Sequence, residues 1–388
     1  MSRDSKWPKV YTASAMSKTA VTLTAVTYRY IARPIFFRFS SERVHRVLVG
    51  FGATIGRSVY LRRFATWLLR SKFDKLHQTV AGINFASPVG LAAGFDYQAE
   101  LPEMLPALGF GFGSVGTFTL QSCQGNPAPQ LGRLVRSRSL LVNKGFKNAG
   151  IKVLIQQSIG RKFEIPIGLS IGRTNAPMTE AEAITDIQKA FALAEGAGLP
   201  YAYYELNISC PNLVGKVDFY DSTSLSRLLN VIKPAKLSRP MFLKMPIELS
   251  DAQTLSIAET ALKNDISMFI VGNLQKNRAD PSLNSAEVAR CGKGYFSGKP
   301  TWQRSNELIA LLYSNYKKRA VIIGCGGTFS AEDAYIKIRL GATLIQLITG
   351  LVYVGPQLPA QINFGLGELL RRDGLADITQ AIGVDNRS

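Results

Sequence analysis

Two carboxamides, a hydroxyl and a thiol fall within six residues of this chain, at Asn207, Ser209, Cys210 and Asn212. A carboxamide offers donors and an acceptor, so it can pair with the donor–acceptor edge of a planar heterocycle, and a thiolate can take a proton. The apolar run at 203–208 reads as a buried strand that Pro211, with no N–H for a ladder, brings to an end. The cluster would then sit at the strand's carboxyl end. A lone loop cysteine is usually an inert small hydrophobe; the density of polar groups around Cys210 argues for chemistry instead.

Other residues able to bind or react stand at the ends of similar apolar runs. Strand-like segments occupy 88–94, 111–119, 166–172, 203–210, 241–247, 268–273, 320–326 and 344–350. Helical patterns at 180–195, 251–263, 304–316 and 331–340 separate several of them. Eight parallel-type strands with intervening helices predict an α/β fold, a (β/α)8 barrel, whose chemistry lies at the strands' carboxyl ends. At those ends come Ala93 and Gly94, Thr117 and Thr119, Ser170 and Arg173, Asn273, Gly326 and Gly327, and Thr349 and Gly350. Lys244 lies inside an apolar strand, where an unpaired charge is expensive. It calls for an ion pair, an anionic ligand or the edge of a cofactor ring. The Gly324–Cys325–Gly326–Gly327 run is either a tight turn or a bare backbone that cradles phosphate, and Ser330 after it is a predicted helix cap.

The chain has 388 residues, enough for one large barrel and a small appendage. Its formal charge of +19 points to nucleic acid or an anionic membrane as partner. Residues 1–80 carry 15 Lys and Arg against 3 acids, so the charge belongs mainly to an appendage. Four cysteines far apart, with no CxxC spacing, argue against a disulfide framework, a zinc site or an iron–sulfur cluster. The two histidines, His45 and His77, precede the predicted barrel, which excludes a His-containing triad or His-ligated metal in its body.

Residues 1–27 read as a basic tail, compatible with a mitochondrial presequence or a frayed bacterial terminus. Over 28–80 the sequence predicts a helical cap with helices at 41–51 and 59–73. In the second, Tyr60, Phe64, Trp67 and Leu68 alternate with Arg62, Arg63 and Arg70, a composition suited to a membrane interface or to docking on the barrel with the basic face solvated.

Several stretches in order resemble the dihydroorotate dehydrogenases, and from about residue 28 on the membrane-associated, quinone-dependent class 2. These are SPVGLAAGFD (87–96), GSVGTFT (113–119), VNKGFKNAG (142–150), YYELNISCPNLVGK (203–216), FSGKP (296–300), IIGCGG (322–327) and LLRRDGLADITQAIGVDNR (369–387). The resemblance implies an FMN-binding barrel over 81–388 that oxidises dihydroorotate to orotate in pyrimidine biosynthesis and passes electrons to quinone. Carried over by position, Ala93, Gly94, Thr117, Asn207, Lys244, Gly298, Gly326, Gly327, Thr349 and Gly350 would hold FMN. Asn143, Asn207, Asn212 and Asn273 would hold the substrate, and Cys210 would be the catalytic base. The cap at 28–80 would lie on an anionic membrane surface, the inner membrane of a bacterium or a mitochondrion. No nucleic-acid partner and no metal are implied.

The chain departs from that pattern at four positions. Cys210 stands where class 2 has serine, Tyr97 where it has lysine, Leu274 where it has threonine and Gln130 where it has arginine. The departures keep rival expectations in view: a flavin oxidoreductase acting on another dihydropyrimidine, or an FMN-binding membrane protein without activity. An RNA-modifying flavin barrel would also be basic, but its charge would sit on a separate RNA-binding domain.

Overall fold

The computed structural model describes residues 15–69, 74–215, 217–233 and 236–386. Helix α1 (Ala15–Thr27) passes through a π-helical turn, Tyr28–Ala32, into α2 (Arg33–Phe36). Residues 15–27 are therefore helix where the sequence predicts a tail, and residues 1–14 lie outside the described residues. The threonines that interrupt the apolar pattern fit the helix because Thr22 and Thr24 donate back to the carbonyls of Lys18 and Ala20. Val21 packs buried against Leu69 and Ala360. The expected boundary at 27/28 thus falls within a continuous helical run.

Helix α3 (Ser41–Arg57) starts where the Ser40 hydroxyl accepts from the Arg43 amide, and runs past the expected end at 51. Helix α4 (Val59–Leu69) follows; the rest of the predicted 59–73 helix lies outside the described residues. Next comes an antiparallel hairpin, β1 (Gln78–Val80) and β2 (Ile83–Phe85).

The barrel is closed by eight parallel strands: β3 (Val89–Leu91), β4 (Phe112–Phe118), β7 (Ile167–Ile171), β8 (Tyr203–Asn207), β9 (Met241–Met245), β10 (Met268–Val271), β12 (Val321–Cys325) and β13 (Leu344–Leu347). Each lies inside one of the eight predicted segments. The strands end earlier than predicted because the site residues turn out of the sheet; Thr349 and Gly350 already belong to helix α12 (Thr349–Val354). A second sheet of β5 (Leu131–Leu134), β6 (Ser139–Val142) and β11 (Tyr295–Gly298) stands beside the barrel mouth.

Helices α5 (Ile151–Ser158), α6 (Glu180–Gly196), α7 (Ser222–Ile232), α8 (Asp251–Leu262), α9 (Ser285–Ala289), α10 (Trp302–Tyr316), α11 (Ala331–Leu340) and α13 (Leu358–Arg372) complete the chain as it concerns the site. Reciprocal capping boxes start two of them, Thr179 with Glu182 and Ser250 with Gln253. Ser330 caps α11 as predicted.

The barrel interior is layered. At the amino ends of the strands, Phe85 of the hairpin joins Phe112, Tyr203, Phe242, Ile323 and Leu344 in an apolar plug. Above it lies a buried polar tier in which Ser114 and Gln346 both donate to Glu205, Gln346 at 2.9 Å. With the lower end plugged, the carboxyl-terminal mouth is left for ligands.

Candidate active site

The mouth opens into a cavity of about 680 Å³. Of the residues expected to bind or react, Cys210, Ala93, Gly94, Thr117, Asn207, Lys244, Gly298, Gly326, Gly327, Thr349, Gly350, Asn212 and Asn273 all line it. Asn143 does not. Its neighbours Val142 and Lys144 do, and its own Oδ1 accepts from Asn126 Nδ2 at 2.8 Å. Asn126 also donates to the carbonyl of Asn212 at 2.8 Å and so links the 143 segment to the Cys210 loop.

A chain of hydrogen bonds locks the strand ends. Asn207 Nδ2 donates to Thr117 Oγ1 at 2.9 Å, and Thr117 bonds Ser170 Oγ at 2.9 Å. Ser209 Oγ donates to Asn207 Oδ1 at 3.0 Å, while Asn273 Nδ2 donates to Ser209 Oγ at 2.7 Å. Four strand ends are thereby tied through a single run of side chains, so the amides facing the cavity are held in place. Arg173 anchors the Cys210 loop by donating to the carbonyl of Val214 at 2.7 Å. Asp96 holds the loop after β3, accepting from the amides of Glu100 and Leu101 at 2.8 Å each.

Lys244, next to Asn207 in the barrel register, is only 4% exposed. It has no ion pair or hydrogen bond among the described residues. An ion pair, one of the partners expected for it, is thus not found among the described residues, and the side chain lines the cavity. The Cys210 thiol lines the same space. Burial pushes it up to about 11, against the opposing pull of the Asn212 amide and of Lys244, Arg173 and Lys276.

From the barrel mouth the cavity continues between the cap helices, where its walls are Phe36, Leu48, Phe51, Ile55, Phe64 and Leu68. Phe51 and Phe64 are also exposed on the outer surface, so the apolar passage reaches the outside between α3 and α4. At the junction of cap and barrel, Tyr97 stacks on His45 with 5.5 Å between centroids, and the Lys144 ammonium lies 3.6 Å from the Tyr97 centroid on its ring face. Burial lowers His45 to about 4, with Lys144 adding to the effect, which makes the ring neutral near pH 7. Its Nε2 lies 2.8 Å from the Phe95 carbonyl and donates to it. Sequence reading found Tyr97 but missed His45, Lys144 and Asn126 as parts of the site. Their positions depend on how the cap and the 123–148 segment fold over the barrel, which no local pattern encodes.

The sequence profile described as dihydroorotate dehydrogenase matches residues 75–370. A protein of Mycolicibacterium paratuberculosis named dihydroorotate dehydrogenase (quinone) is 34% identical over 357 residues, covering 92% of this chain and 95% of its own. One of the same name from Allorhizobium ampelinum is 35% identical over 364 residues, with 91% and 95% of the two chains covered. Among solved structures, that of the Eimeria tenella enzyme DHODH in complex with ferulenol superposes with a TM-score of 0.79 at 25% identity, over 90% of this chain and 96% of that one. The chain belongs to the dihydroorotate dehydrogenase family.

Proposed function

We propose that this protein is a class 2, quinone-type dihydroorotate dehydrogenase that oxidises dihydroorotate to orotate on bound FMN, in pyrimidine biosynthesis, with Cys210 as the base. The observation that carries the proposal is the single cavity joining a thiol, three carboxamides and an unpaired lysine to an apolar passage through the cap.

The residues present fit FMN. Thr328 Oγ1 is buried at the cavity wall without a hydrogen-bond partner, as expected of a group that binds a phosphate oxygen. Gly350 lets the chain pass where a Cβ would come within 2.4 Å of the Thr328 carbonyl oxygen, so this wall tolerates no side chain. Lys244 would face the flavin ring, and Gly326, Gly327 and Thr349 the phosphate. When bound, FMN supplies the acceptor for the substrate's hydride and returns the electrons to a second substrate.

The protein's own part is binding, orientation and proton removal. Asn207, Asn212 and Asn273 present amide donors and acceptors to the ring edge and carboxylate of dihydroorotate. Cys210 takes the C5 proton as the hydride leaves C6. Quinone enters through the apolar passage, and the cap over 28–80, carrying exposed Tyr60, Phe64 and Trp67 beside arginines, lies on an anionic membrane. Among the described residues no helix is long and apolar enough to cross a membrane, in keeping with peripheral attachment.

Tyr97 and Leu274 both line the cavity and favour a second reading, turnover of a different dihydropyrimidine. Anaerobic titration of the purified flavoprotein with dihydroorotate, then with quinone, tests the assignment. Bleaching followed by recovery of the flavin absorbance is expected. A flavin bleached by another dihydropyrimidine and not by dihydroorotate would establish the second reading.

A further inference from the structure

A second cavity, of about 520 Å³, adjoins the first and shares His45, Tyr97, Leu131, Lys144 and Lys147 with it. Its charged groups are Arg46, Lys144, Lys147 and Glu42. Glu42 acts on Lys144 through its charge but offsets only one of the three cations. Its Oε1 is taken by the amides of Gln130 and Leu131 at 2.7 and 2.9 Å, and it makes no ion pair. Neither Arg46, Lys144 nor Lys147 has a carboxylate partner among the described residues. Gln130, a neutral amide, brings no charge, and its side chain donates to the carbonyls of Gln124 and Asn126 at 3.2 and 2.7 Å.

The walls of the second cavity thus set three cations among apolar residues such as Pro129 and Leu131, whereas the cap passage is lined by apolar side chains. Unpaired cations gathered around a pocket raise the local concentration of anions and their rate of arrival. Lys144 is the most informative of the three. Burial and the neighbouring Lys147 charge pull it down to about 7, so an arriving anion would restore the charge that the fold now disfavours.

We infer that this basic cavity is an antechamber for a planar carboxylate, which docks on Arg46, Lys144 and Lys147 before passing the Tyr97 wall into the barrel mouth. Given the function proposed above, the carboxylate is that of the charged pyrimidine, entering or leaving on the side opposite in character to the apolar passage. The two reactants of the overall reaction would then use separate doors, with Tyr97 between them.

Stopped-flow measurement of orotate binding to the oxidised holoenzyme, read from the flavin absorbance, tests this. The double reversal Arg46→Glu with Lys147→Glu is expected to lower the association rate at least tenfold at low salt and to abolish its ionic-strength dependence, with dissociation little changed. Reversals at exposed Lys152 and Lys189, which line neither cavity, are expected to leave the rate as it was. An association rate unmoved by the Arg46 and Lys147 reversals would overturn the inference. Calorimetry with benzoate, a planar carboxylate without the pyrimidine edge, separates the two readings. Benzoate binding that the double reversal removes, with orotate silent, would reject the pyrimidine and uphold the antechamber. Benzoate that fails to bind the unaltered protein, or binds the reversed one equally, would reject the antechamber.

Discussion

Under the proposed function, in which Cys210 is the base, so tightly held a proton leaves a strong mark on the pH profile. With the thiol pushed up to about 11, only about one part in ten thousand is thiolate at pH 7, and about one in ten at pH 10. If flavin reduction draws on that thiolate, its rate with saturating dihydroorotate rises about tenfold per pH unit, close to a thousandfold in all between pH 7 and 10. An anionic substrate bound beside the sulfur raises the thiol further and keeps the same slope. Removing the base by Cys210→Ala should lower the rate by about 100- to 10,000-fold, the usual contribution of a positioned base, and flatten the profile. Removing a nearby cation by Lys276→Met should move the profile of the intact thiol to higher pH, since Lys276 lowers the thiol. The assay is anaerobic single-turnover reduction, which isolates proton and hydride removal from the quinone step. A rate independent of pH, or an undiminished rate in the alanine variant, would refute the assignment of the proton to Cys210.

Two further outcomes follow from groups away from the thiol. Lys337 is fully buried, donates only to Ser305 and Asn306, and is drawn by burial from 10.5 down to about 7. A lysine whose folded value is depressed destabilises the fold wherever the unfolded chain is charged. The penalty is absent above about pH 10.5, grows as pH falls and is complete below about pH 7, reaching at most about 5 kcal/mol. Urea unfolding should therefore show Lys337→Met gaining on the unaltered protein between pH 10 and pH 7, and a pH-independent difference would contradict the reasoning. On the cap, Phe64 and Trp67 are each 60% exposed, with ring centroids 5.9 Å apart. Replacing both by Asp should weaken sedimentation with anionic phospholipid vesicles by at least about tenfold, since each buried aromatic contributes roughly 1.5–3 kcal/mol; unaltered binding would detach this face from the membrane.

The barrel was readable because most of its strands are buried on both faces and so appear as largely apolar runs, unbroken in β10 and interrupted by one lysine in β9. The helical pattern at 331–340 was equally plain, and its ends agree with those of α11. The sheet of β5, β6 and β11 escaped notice for the opposite reason. Its strands are four residues each, too short for a period to declare itself, and pairing of β6 with β11 joins residues more than 150 apart. The residues expected at strand ends come together around one cavity because the fold dictates where strand ends go. Asn143 is the exception among the expected site residues: its neighbours Val142 and Lys144 line the cavity, while its own side-chain oxygen is engaged by Asn126.

The cap and the barrel complete one site between them, and the contacts that join them explain why. Tyr28 donates to the carbonyl of Val352 at 2.8 Å, Arg33 to that of Tyr353 at 3.0 Å, and Arg133 reaches back to the carbonyl of Phe36 at 3.0 Å. The Arg133 guanidinium also lies over the Phe37 ring, and Phe37 meets Tyr353 edge to face. These polar ties sit at the rim, where they fix the angle at which α3 and α4 cover the mouth while the apolar lining between them stays free of charge. A barrel without that cover would expose Leu105, Leu108 and Phe110 to water. Under the proposed function, an acceptor's path in the cap and the heterocycle's contacts in the barrel would let the two partners differ in polarity without either wall being a compromise, and the Tyr97–His45 stack lies between the two environments.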